Sequence, residues 1–177
     1  GSQNIGSAFL RAMTILAFFL LGVIVVLSIR VVPEYQRRVI FRLGRLIGAR
    51  GPGIIFVLPV IDMSIAVDLR ERETEVLSQR AFTKDKASVS IDLLCGFKIV
   101  DPVAAVVQVK DVSKSICDRV STLIPDLVKK YPLTDLQANS ERICEDLQWE
   151  LSGAAQRWGA RMTSVKVRNV SLSSYGR

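Results

Sequence analysis

The most prominent feature of the hydrophobic pattern is a run of 18 uncharged residues, numbers 12–29, between Arg11 and Arg30. A helix of this length spans about 27 Å, close to the hydrocarbon thickness of a bilayer. The alternative is a buried core helix, but 18 uninterrupted apolar or small residues are too many for one buried face. The run predicts a membrane-anchoring helix with the core members Ile15, Leu16, Phe18, Phe19, Leu20, Leu21, Val23, Ile24, Val25, Val26 and Leu27.

The anchor has two alternative topologies, a single span or a monotopic hairpin that returns to the same side. A hairpin needs a breaker at its centre, and Gly22 is the only candidate because no proline lies between Arg11 and Arg30. Two halves of about nine residues would each reach only one leaflet. The residues favour a single span and leave the hairpin as the alternative.

After the anchor, apolar and polar residues alternate as in strands with one buried face. The first such stretch places Val39, Phe41 and Leu43 on the buried face and basic residues on the other. In the clearest stretch, residues 87–99, the odd-numbered positions are apolar, so Cys95 is predicted to be a core residue. Further strand signals lie at residues 54–58, 63–69 and 165–168, and the charged residues 70–75 indicate an exposed edge.

Helix signals separate the clearest strand from the last one. Asp101 with Pro102, and then Asp111, are typical N-caps of two helices, the second of which Pro125 is expected to kink or end. Thr134 begins a capping-box pattern. A single helix with its apolar stripe from Leu136 through Ala154 to Trp158 is predicted to follow, ending at Gly159. Strands and helices together predict an α+β fold.

The net charge of +7 is concentrated in one window. Residues 30–50 contain six arginines and one glutamate, a net charge of +5, directly after the anchor. This asymmetry predicts that the C-terminal side is cytoplasmic. It also predicts contact with anionic lipid, while an ordinary solvated strand face is the alternative and nucleic acid is not expected as a partner. The arginines are Arg30, Arg37, Arg38, Arg42, Arg45 and Arg50.

The sequence offers little material for catalysis. It contains no histidine, and its three cysteines, Cys95, Cys117 and Cys144, form no CxxC pair, which is typical of a reducing compartment. No phosphate loop or metal-ligand cluster is present, and Lys84, Asp85 and Lys86 indicate a polar turn. We therefore expect no catalytic residue, no cofactor and no metal. A membrane-attached Ser/Lys hydrolase is the weaker alternative.

Several stretches, in order, carry a family resemblance: VVPEYQRRVIFRLGRLIGARGPGIIFVLPVIDMSIAVDLRERE, then FTKDKASVSID, FKIVDP and WGARMTSVKVRNVSL. Together they resemble the SPFH (Band 7) domain of the stomatin, prohibitin and flotillin family, and most closely that of stomatin-like proteins (slipins). The resemblance covers about residues 30–172. It implies an anchor segment at 1–32, an SPFH domain at 33–172 with a twisted, largely antiparallel sheet packed on helices, and a tail at 173–177.

The resemblance also implies a function, that of a membrane scaffold that forms homo-oligomers and organises lipid microdomains. It would modulate an ion channel, transporter or membrane protease at the cytoplasmic side of a plasma or inner membrane. It further implies that residues 51–62 contact the leaflet through Ile54, Ile55, Phe56, Val57 and Leu58, with a buried strand as the alternative.

Three departures from the family pattern modify these expectations. The anchor lacks the hairpin proline of animal stomatins, and no cysteine lies beside it, so palmitoylation is not expected. The sequence ends at Arg177, where the family continues into a charged coiled coil. The alternative function is therefore a regulatory subunit of a larger membrane complex that forms no ring of its own.

Overall fold

A computed structural model describes residues 2–173, with side chains from residue 6 onward. The predicted tail at 173–177 lies outside the described residues apart from Ser173. The described chain divides into two compact units, one ending at Val67 and one beginning at Asp68. The elements are α1 (Ser2–Ser28), β1 (Ile29–Val32), β2 (Gln36–Arg42), β3 (Arg45–Arg50), β4 (Gly53–Phe56), β5 (Asp62–Asp68), β6 (Arg72–Phe82), β7 (Ser88–Ile99), α2 (Pro102–Val107), α3 (Val112–Val128), α4 (Leu133–Ala138), α5 (Glu141–Arg157) and β8 (Ala160–Leu172).

The first unit consists of α1 and two small sheets. β1 pairs antiparallel with β4, from Ile29 opposite Phe56 to Val32 opposite Gly53. The second sheet has the strand order β3-β2-β5, and a bulge interrupts the antiparallel register of β2 and β3 after Ile40. Its small core comprises Val32, Ile40, Ile55 and Val57.

Leu43 does not lie on the buried face of the first predicted strand. That prediction is wrong because Leu43 and Gly44 form the tight turn between β2 and β3, with positive φ at both residues (48° and 79°). Such φ pairs suit two-residue hairpin turns, whose twist matches that of the strands. The turn leaves Leu43 exposed. After the turn the chain reverses and forms β3, a strand that the alternation did not predict.

The second unit packs helices on a three-stranded antiparallel sheet of order β6-β7-β8. β7 is its central strand, and every odd-numbered residue from Val89 to Phe97 is buried, as predicted, with Cys95 fully buried. α3 contacts β6 and α5, and α5 contacts β8. The expectation of an α+β fold, with an apolar helix before antiparallel sheets packed on helices, is confirmed.

The predicted N-caps of the first two helices are confirmed. The Asp101 carboxylate accepts hydrogen bonds from Val103 N (3.0 Å) and Ala104 N (3.2 Å). Asp111 accepts a bond of 2.9 Å from Ser113 N, and α3 then continues through Pro125 to Val128. Pro125 therefore does not end the helix, because Ile124, Leu127 and Val128 bury their side chains in the core.

The single helix predicted after residue 134 is two helices. α4 begins before Thr134, which makes no capping bond, and instead Asp85 accepts a hydrogen bond of 3.2 Å from Leu133 N. Asn139 leaves the helical conformation and separates α4 from α5. In α5 the fully buried alanine is Ala155, whereas Ala154, the predicted stripe member, is only half-buried. Gly159 ends this region with φ +67°, as predicted.

Candidate membrane-binding surface

α1 is an uninterrupted helix whose side chains are exposed from Gly6 to Leu27. All predicted anchor residues are among them, and even Phe18 is 76% exposed. Residues 6–28 form the one helix in the described chain that is long and apolar enough to cross a membrane, at about 35 Å. The helix passes through Gly22 without a break, which fits a single span better than a hairpin.

The C-terminal end of α1 is tied directly to the first sheet. Ser28 is fully buried, and its hydroxyl donates a hydrogen bond of 2.6 Å to the carbonyl of Ile24. Its own carbonyl accepts a bond of 2.8 Å from Val57 N, just beyond β4. The strand β1 begins at the next residue, so no linker separates the apolar helix from the β1–β4 ribbon.

The arginines of the basic window fall into two groups. Arg37 donates hydrogen bonds of 2.9 Å to the carbonyls of Glu34 and Gln36. Arg38 donates through Nη1 to Ser64 Oγ at 3.0 Å, and its buried Nε has no partner among the described residues. The second group is exposed and has no hydrogen-bond or ion-pair partner within the described chain; it comprises Arg30, Arg45 and Arg50.

Arg42 is engaged in the best-defined ion pair of the first unit. Its Nε and Nη2 groups donate to the two carboxylate oxygens of Asp62, at 2.7 and 2.9 Å. These bonds, helped by a hydrogen bond from Leu58 N, lower the pKa of Asp62 to about 2 although burial opposes this. The pair joins the end of β2 to the start of β5, and it compensates the charge of Arg42.

The apolar stretch at residues 54–58 divides between the two expected roles. Ile55 and Val57 are buried, Leu58 is half-buried, and Ile54 (77%) and Phe56 (54%) are exposed. Ile54 is paired with Val31 of β1 and Phe56 with Ile29, so each pair shares one face of the ribbon. We call these four exposed residues the ribbon patch. Sequence reasoning missed the β1 half because it merges with the apolar run of the anchor.

The second unit contains the cysteines and the polar turn that the sequence offered as candidates for chemistry. Burial raises the pKa of the Cys95 thiol to about 12, so this cysteine is a protonated core residue, as predicted. Burial also raises the pKa of Cys144. The loop at Lys84, Asp85 and Lys86 has a structural role, since Asp85 caps α4. No group of three or more potential metal ligands occurs among the described residues.

Comparison with known proteins identifies the family. The model of the SPFH domain / Band 7 family matches residues 30–174. This chain belongs to the SPFH domain / Band 7 family. The match begins at the first arginine after α1 and covers the rest of the first unit and the described part of the second, and the resemblance inferred from the sequence motifs is confirmed.

Several curated relatives carry stomatin names. The chain is 35% identical over 159 residues to a stomatin homolog of Pyrococcus abyssi, covering 90% of this chain and 59% of that protein. It is 32% identical over 148 residues to Stomatin-like protein 3 of Homo sapiens (82% and 51%). It is 36% identical over 160 residues to Mechanosensory protein 2 of Caenorhabditis elegans (89% and 33%). The chain spans about half the length of the curated relatives it matches.

Proposed function

We propose that this chain is a non-enzymatic, membrane-anchored, stomatin-like scaffold. The observation that carries the proposal is that α1 is exposed from Gly6 to Leu27, is apolar enough to cross a membrane, and leads directly into the SPFH domain. A soluble protein buries an apolar surface of this kind within its own fold, whereas the hydrocarbon of a bilayer covers it and so removes it from water. In this proposal α1 crosses the membrane once and holds the SPFH domain at its surface.

The exposed arginines orient the domain in this proposal. Arg30, Arg45 and Arg50 lie within 23 residues of the end of α1 and have no internal partner among the described residues. Positive residues that follow a span favour the cytoplasmic side. Each arginine near an anionic surface adds about 1 kcal/mol of attraction. The domain thus lies on the cytoplasmic side of a plasma or inner membrane.

The ribbon patch is the leaflet-contacting surface in this proposal. Its four apolar side chains belong to strands that follow α1 without a linker, so they lie close to the end of the span. Ile55 and Val57 pack inside the protein instead and contribute to the small core. The expectation was that all of residues 54–58 contact lipid. In the proposal, only alternate residues of this stretch do so.

Assembly and partners complete the proposed function. As a scaffold the protein forms homo-oligomers, gathers lipid into microdomains and modulates a membrane protein, which would be a channel, a transporter or a protease. The alternative is a regulatory subunit of a larger membrane complex that forms no ring of its own.

The test is extraction of the full chain from its own membrane. The protein should resist alkaline carbonate, dissolve in mild detergent, and migrate as a complex larger than one copy. A matched pair of variants, Phe56→Asp in the ribbon patch and Phe82→Asp at a comparably exposed site on β6, separates lipid contact from general solubility. Weaker membrane association of Phe56→Asp alone would indicate lost lipid contact, whereas the same change in both variants would indicate an effect on solubility. Release of the wild-type chain by carbonate would contradict membrane anchoring. A single copy bound to another protein would favour the regulatory subunit.

A further inference from the structure

A cleft of about 310 Å³ lies in the first unit, between the hairpin of β2 and β3 and the strand β4. Its volume is at the lower end of the range of about 300–1,000 Å³ that is typical of small-molecule sites. Two arginines, Arg42 and Arg50, line it together with five apolar residues, Ile40, Ile47, Ile54, Ile55 and Phe56. The cleft therefore combines a cationic wall with an apolar one.

The two arginines of the cleft differ in what they can offer a ligand. Arg42 uses Nε and Nη2 for Asp62, so Nη1 lies outside that pair and the guanidinium is held in place. Arg50 is exposed and has no ion-pair or hydrogen-bond partner within the described chain. A fixed guanidinium beside an uncompensated one suits a compact anion such as a phosphate group.

The strand register adds an independent reason to expect an anion at this position. Arg50 on β3 lies directly opposite Arg38 on β2. Like charges in directly opposed positions destabilise an antiparallel pair. Arg38 is fixed by Ser64, and its buried Nε has no partner among the described residues, so this side chain does not relieve the repulsion by turning away. An anion held by Arg50 would offset it.

The apolar wall determines which anion fits. Ile54 and Phe56 belong both to this wall and to the ribbon patch, so the cleft opens onto the surface that the proposed function places at the leaflet. We propose that the cleft binds the phosphate headgroup of one acidic phospholipid through Arg50 and Arg42, with the first methylenes of its acyl chains against Ile47, Ile54 and Phe56. This inference rests on the proposed function and adds to it a discrete lipid site, beside the diffuse attraction of the exposed arginines.

The experiment uses the full chain in a neutral detergent and native mass spectrometry, which counts bound molecules. Dihexanoyl phosphatidic acid should saturate at one molecule per chain. Glycerol 3-phosphate, which has the headgroup without chains, and dihexanoyl phosphatidylcholine, which has the chains with a neutral headgroup, should each bind at least about tenfold more weakly. Equal binding of glycerol 3-phosphate would overturn the lipid assignment in favour of a free phosphate. Equal binding of the phosphatidylcholine would overturn headgroup recognition.

Matched charge variants locate the site. Arg50→Gln should weaken binding of the phosphatidic acid by about tenfold or more, and Arg50→Lys, which keeps the charge but loses the planar fork, should weaken it less. Arg45→Gln removes the same charge from the same strand outside the cleft and should change the affinity by less than about twofold. Equal losses in Arg45→Gln and Arg50→Gln would refute a discrete site. Carbonate-resistant anchoring of Arg50→Gln, measured in parallel, reports on the proposed function separately.

Discussion

A charge placed at the middle of α1 tests whether this helix crosses the bilayer. Phe18 lies one residue from the midpoint of residues 6–28, about 1.5 Å along the axis, and is 76% exposed, so Phe18→Arg disturbs no packing within the described protein. An arginine at the centre of a span costs about 3 kcal/mol on insertion scales, a factor of about 100 in the ratio of inserted to excluded helix.

Two control positions make this prediction specific. Phe9 is similarly exposed but lies about 12 Å from the midpoint, where an arginine can snorkel to the interface, so Phe9→Arg should cost no more than about tenfold. Phe19 is turned by about 100° from Phe18 around the axis. A span meets lipid on every side, so Phe19→Arg should lower the ratio of inserted to excluded helix as much as Phe18→Arg does. A helix lying in the interface has one side in water and would tolerate an arginine at one of the two positions.

The assay places α1 in a host membrane protein with glycosylation acceptor sites on both sides, whose modification distinguishes inserted from translocated chains. Leucines of α1 are first changed to alanine until both forms are measurable, because the unmodified helix is too apolar for a small shift to register. Equal costs for Phe9→Arg and Phe18→Arg would refute the spanning arrangement.

Three further predictions concern the domain outside the membrane. Arg30→Gln with Arg45→Gln, in a variant lacking residues 1–27, should weaken binding to anionic vesicles by about 2 kcal/mol, or about 30-fold, in a sedimentation assay at low salt. Asp62→Asn should destabilise the first unit at neutral pH. The ion pair with Arg42 lowers the pKa of Asp62 to about 2, so its stabilisation is present above about pH 4 and is lost as the pH falls through about 2. The midpoint of thermal unfolding of Asp62→Asn should therefore vary less over that window than that of the wild type. Leu147→Ala, at a fully buried site of α5, should cost about 2–5 kcal/mol in urea unfolding.

Each of these has a control in an exposed position. Lys110→Gln with Lys166→Gln removes the same charge from the second unit and should leave vesicle binding unchanged. Asp126→Asn, in an exposed pair with Lys129, should leave the acid profile unchanged. Leu172→Ala should cost less than about 0.5 kcal/mol. A control that behaves like its partner variant would refute the corresponding assignment.

The local sequence pattern predicted those elements that are stabilised by interactions of their own or neighbouring residues. β7 is the central strand of its sheet, and its residues alternate between buried and half-buried from Ser88 to Cys95, so burial enforces their period of two. The caps at Asp101 and Asp111 were predictable because each side chain bonds to backbone only two or three residues away. α1 is the extreme case, since composition alone identifies it.

Elements that depend on distant partners were not predictable in this way. The start of α4 is capped by Asp85, 48 residues earlier, which no local capping rule can anticipate. β1 pairs with a strand more than 20 residues away and has no pattern of its own beside the anchor. The same limit applies to the arginines: their positions are visible in the sequence, but the partnership of Arg42 with Asp62 spans 20 residues. Only the fold separates compensated arginines from uncompensated ones.

The most direct test of the central claim is imaging of the full-length protein, extracted from its own membrane in a mild detergent, as single particles. We expect a detergent belt around the helices formed by α1, with SPFH domains of several copies, or of one copy and a partner membrane protein, on the arginine-rich side. Isolated single copies without a belt or a partner would contradict a membrane-anchored scaffold.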